Sequence, residues 1–169
     1  MSSAHLTWSG HSWRMPAWLW LNLAAMASAI LHILIDFGVG LFSLQGRLSF
    51  AEAATLVLIS LIQIWWVASL AAGAQGNGGG IASAAVLSLG WAALTNGYPI
   101  VFCPPSCSEA APLSDVGHVG SIVFGAAAAV AALWALWRGR PHVGWLLPTG
   151  ALLLVVGTIT ALSASGPPS

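Results

Sequence analysis

The chain has 169 residues; 58% are apolar and only 5% are Asp, Glu, Lys or Arg, balanced to zero net charge. A soluble domain carries about 25% charged residues to solvate its surface, so this composition excludes a water-soluble globule. With no net charge and no lysine there is also no basic surface of the kind nucleic acid requires. The expected class is an all-α integral membrane protein: one domain, a bundle of about five transmembrane helices with the bilayer as its main solvent.

Residues 1–15 hold His5, Trp8, His11, Trp13 and Arg14 without apolar periodicity and read as an interfacial tail. The first span covers about 16–42 and opens on Pro16, which suits a helix start. It exceeds the roughly 20 residues that cross the hydrocarbon of a bilayer. Ala27-Ser28-Ala29 resembles a signal-peptidase site, but the apolar run continues past it, which favours a retained helix. The second span covers about 50–74 and places Glu52 in its first turn, where an acid complements the helix dipole.

Gly73 to Gly80 is so glycine-rich that it reads as a loop. The third span, about 81–98, carries Ala84, Ser88, Ala92 and Asn96 at four-residue spacing, a small-residue stripe that lets another helix approach closely. Residues 99–115 form the longest polar stretch; Pro104, Pro105 and Pro112 forbid a continuous helix through it. The fourth span, about 116–137, takes Ser114 or Asp115 as its N-cap. Its Gly117, Ser121, Gly125 and Ala129 form a second packing stripe. Arg138-Gly139-Arg140-Pro141-His142 is a basic turn suited to anionic lipid headgroups. The fifth span, about 143–162, is expected to bend at Pro148.

Five spans put Arg14, Arg138 and Arg140 on one side of the membrane and Arg47 on the other, which predicts a cytoplasmic N-terminus and an outer C-terminus. The tryptophans near the first side (Trp13, Trp18, Trp20, Trp134, Trp137 and Trp145) fit an interfacial aromatic belt. Cys103 and Cys107 then fall in an outer loop, where a disulfide can form and persist. The implied location is a plasma or bacterial-type inner membrane, crossed several times.

Ionisable residues at membrane depth are expensive and therefore informative. His32 and Asp36 are four apart and share one helical face; Asp115 and His118 are three apart on another. The topology brings both pairs to a similar depth near the outer surface. Two imidazoles and two carboxylates form a plausible ligand set for a divalent transition metal such as Zn, Cu or Fe. Glu52, Ser114 and Ser121 are the candidate supporting residues. The same group could relay protons.

The expected function is a small membrane protein that binds or passes a cation through this cluster. Two alternatives stand beside it. One is a non-catalytic subunit, whose small-residue stripes serve contacts in a homo-oligomer or larger membrane complex. The other is a membrane enzyme acting on a lipid or quinone-like substrate. A purely structural reading also competes, in which each His and Asp satisfies its neighbour within the bundle. The partners expected in every case are membrane lipids.

Overall fold

A computed structural model describes residues 15–43, 50–97 and 111–165, with the side chains of 36–43, 51–52, 96–97, 111, 114 and 165 excepted. Five helices form: α1 (Ala17–Ser43), α2 (Phe50–Ala74), α3 (Gly78–Gly97), α4 (Ala111–Gly139) and α5 (Leu146–Ser165). The described residues are all-helical, and all five helices are long and apolar enough to cross a membrane, as in a multi-pass protein. In such a helix every backbone amide is satisfied within its own segment, so lipid can surround it at no hydrogen-bonding cost.

The centre of the bundle is α3. Its apolar window is 72% buried, against 28–33% for the windows of the other four helices. It touches all the others, while α1 packs mainly on α4 and α2 packs on α3 and α5. Composition explains the position, because a helix built from Gly, Ala and Ser has backbone rather than bulk to offer its neighbours. Ala84, Ser88 and Ala92 are buried as the stripe requires. Gly125 of α4 lies against them: a Cβ there would fall 2.8 Å from the Ser88 carbonyl oxygen and 3.1 Å from the Ala92 methyl.

The glycine run between α2 and α3 corrects the loop reading. Only Gln75, Gly76 and Asn77 leave the helical conformation, and Gly78-Gly79-Gly80 is the first turn of α3. Asn77 caps that turn, its side-chain oxygen accepting from the Gly80 amide at 3.2 Å. The glycines here serve proximity. A Cβ on Gly80 would meet the Gly73 nitrogen at 2.5 Å, and one on Gly79 would meet the Gly144 oxygen at 2.5 Å. Both inter-helix turns therefore stack at one end, called here the arginine end after Arg138 and Arg140.

Two further boundaries differ from the sequence reading. The fourth helix begins at Ala111, so Ser114 and Asp115 lie inside it and neither is its N-cap. Pro112 accounts for the earlier start, since a proline near a helix N-terminus lacks only an amide that has no intrahelical partner. Pro148 is likewise the third residue of α5, where it costs no internal hydrogen bond.

Polar side chains link the helices across an otherwise apolar core. The Trp66 indole N–H donates to the Asn22 side-chain oxygen at 2.9 Å, and the Asn22 amide donates to the Trp18 carbonyl at 2.8 Å. Ser69 donates to its own helix at Trp65 O, so Ser83, 2.6 Å away, donates to Ser69. The Trp65 indole reaches the Leu147 carbonyl on α5 at 3.1 Å. Exposed Ser60, Thr160 and Ser163 each donate to the carbonyl four residues back, so these three hydroxyl protons are satisfied within their own helices.

Trp18 departs from the expected aromatic belt. It is 6% exposed and packs over Gly73, where a Cβ would touch its ring at 2.8 Å. Trp20, Trp134, Trp137 and Trp145 do stand exposed, and Trp13 lies outside the described residues. The helix α4 ends in a left-handed turn at Arg140 (φ 43°), whose amide closes on the Leu136 carbonyl at 2.9 Å. That conformation favours glycine and costs a non-glycine residue roughly 1 kcal/mol.

Candidate functional site

The seam between α1 and α4 is built on missing side chains. Along α4, Gly117 faces the backbone of His32, and Gly120 faces Ser28 one turn further along. A Cβ at Gly117 would lie 2.9 Å from the His32 nitrogen and 3.1 Å from its Cα. The two helices are therefore as close here as backbone allows, running antiparallel. Ser121, buried on the same face, donates to the Gly117 carbonyl at 2.7 Å, so its proton serves its own helix.

Close approach of the backbones brings two imidazoles together. The rings of His32 and His118 meet edge to face, centroids 5.2 Å apart and planes at 72°. His32 is 4% exposed and His118 is half-buried, so the pair spans from the bundle interior to its surface. The separation falls within the ordinary range for aromatic pairs. It is also the separation at which two imidazoles reach one ion. With metal–nitrogen bonds of about 2.0–2.1 Å at a tetrahedral angle, ring centroids fall roughly 5 Å apart.

The structure thus brings His32 and His118 together across different helices. Asp115 is exposed one turn before His118, and lines an open, mostly apolar cleft of about 510 Å³ with Ser28, Val119 and Phe124. Asp36 follows His32 by one turn within α1, and Glu52 and Ser114 lie in the first turns of α2 and α4; the side chains of these three are outside the described residues. Cys103, Cys107 and Glu109 also lie outside them. Among the described residues no group of three or more His, Cys, Asp or Glu side chains gathers to hold a metal.

Sequence reasoning overlooked Ser28, which faces Gly120, and the Asn22–Trp66 link deeper in the bundle. Asn22 did carry a signal, as a lone carboxamide in the middle of an apolar run. No family model, curated protein or solved structure matches this chain.

Proposed function

We propose that this chain is a small multi-pass membrane protein that binds or passes a cation, a divalent metal ion or a proton, at the seam between α1 and α4. The observation that carries the reading is the meeting of His32 and His118 rings at 5.2 Å on two helices pressed together through Gly117. Imidazole is the side chain best suited both to hold a proton near neutral pH and to ligate a transition metal. Two positive charges at 5.2 Å repel by on the order of 3 kcal/mol at an effective dielectric of about 20, so the pair suits one cation at a time. Asp115, one turn before His118, carries a charge of the sign that an ion there requires, and Asp36 follows His32 by four residues in the sequence.

Charge distribution supports an orientation. In the described helices Asp36, Glu52 and Asp115 belong to the end of α1 and the starts of α2 and α4, and Arg138 and Arg140 belong to the opposite end; by sequence order Arg14 falls with the latter and Arg47 with the former. With the arginine end in the cytoplasm, the histidine pair opens towards the outer face.

Metal analysis of the purified chain provides the test, with His32→Ala and His118→Ala beside it. About one bound ion per chain is expected, lost in both variants. For the proton arm, proteoliposomes of the same three proteins are compared for proton flux, which both substitutions should reduce. A metal-free parent whose proton flux is unchanged by either substitution sinks the proposal.

A further inference from the structure

A second feature sits at the opposite end of the bundle from the histidine pair. Where α1 begins and α4 ends, the two helices leave an open apolar groove of about 1020 Å³. Its floor is laid by small residues of α4, Ala126 and Ala127 among them, and its walls by Trp18, Val130, Trp134 and Trp137. At its rim the Arg138 guanidinium lies over the Trp134 ring, 4.8 Å from the centroid, and Trp137 leans on Trp134 at 5.0 Å. Stacking on an aromatic face fixes the direction of a guanidinium and leaves its fork of N–H donors for an oxyanion.

We infer that this groove is a binding site for an anionic phospholipid, one acyl chain lying along the alanine floor and the phosphate held by Arg138 and Arg140. Charge complementarity selects this occupant. Arg138 and Arg140 both belong to this end of the bundle, and the acidic residues of the described helices, Asp36, Glu52 and Asp115, belong to the helix ends opposite. A zwitterionic lipid would bring a second cation to a rim where the Arg138 guanidinium already stands. The backbone adds an independent sign. Arg140 is the only non-glycine residue with positive φ among those described, although Gly139 stands beside it and would fill that conformation without strain. The guanidinium at that strained turn is the second group the proposed phosphate contact uses. Each arginine near a lipid surface contributes about five-fold to anionic-lipid affinity.

The experiment uses the full chain in phosphatidylcholine bilayers and compares spin-labelled phosphatidylglycerol with spin-labelled phosphatidylcholine at the protein boundary. The unaltered chain is expected to prefer the anionic label at least five-fold. R138Q combined with R140Q should bring the preference close to parity. Ala126→Trp, which fills the groove and leaves the charge untouched, should lower it as well. R140G keeps the test decisive, because it relieves the left-handed turn: the preference should fall about five-fold while thermal stability is equal or higher. Equal association of the two labels with the unaltered chain, or a preference unmoved by the arginine or the Ala126 substitutions, overturns the inference.

Discussion

Gly117→Leu is expected to remove cation binding and to destabilise the α1–α4 pair. Even a lone Cβ at this position would stand 2.9 Å from the His32 nitrogen and 3.1 Å from its Cα, and these are backbone atoms that cannot swing aside. The helix itself must move, and overpacking of this kind costs about 1–3 kcal/mol in a well-packed core. The histidine rings would separate with it, since His118 is the next residue along α4. Gly117→Ala should do the same in milder form, with occupancy down about ten-fold for each 1.4 kcal/mol of lost geometry. Ser121→Ala is the contrasting change on the same face. It removes a bond internal to α4 and should cost less than about 1 kcal/mol. Metal content and thermal unfolding in detergent read both effects. If Gly117→Leu binds as well as the parent, the seam is not what holds the site.

Gly80→Val is expected to cause the largest loss of stability, about 3 kcal/mol or more, as a failure of the α2–α3 hairpin. The added side chain would start 2.5 Å from the Gly73 nitrogen and 2.7 Å from the Ser69 oxygen. Prising the helices apart there also stretches the Ser69–Ser83 hydrogen bond, one turn further into the bundle. Gly144→Ala is the matched control, since nothing lies within 4 Å of its added carbon. It should unfold at the parent's temperature. A Gly80→Val protein as stable as the Gly144→Ala protein would contradict the packing described.

Much of this architecture was legible in the sequence, because hydropathy reports the length of a segment that must avoid water. The five apolar runs became five helices, and the stripe from Gly117 to Ala129 did become a packing face. The errors came where one residue type has two uses. Glycine at 78–80 was read for its loop preference, when its lack of a side chain was what α3 needed to approach Gly73 and Gly144. Ser114 and Asp115 looked like N-caps until Pro112 was seen to sit inside the first turn. Trp18 looked interfacial by position, and only the space above Gly73 takes it into the core.

The candidate site was legible in part, for a different reason. Spacing put Asp115 and His118 on one face of α4, because residues three or four apart share a helix face; the same reasoning paired His32 with Asp36, whose side chain lies outside the described residues. Hydropathy does not report helix rotation, so it could not show which side chains meet across the seam. The meeting of the two imidazoles is set by Gly117 and Gly120; Gly117 had been read for packing alone, and Gly120 was not part of that stripe. Asp115 turned out exposed beside a cleft shared with Ser28, a partner that no local pattern connects to it.

The most direct test of the α1–α4 site is nitrogen-15 NMR of the histidine-labelled full chain in lipid bilayers, titrated with zinc ion and separately with acid. Single substitutions His32→Gln and His118→Gln assign the two signals against those of His5, His11 and His142. The expected result is that the imidazole nitrogens of His32 and His118 respond together, and that removing either histidine weakens the response of the other. Responses confined to His5, His11 and His142, or a His32 signal indifferent to the loss of His118, would contradict a shared cation site.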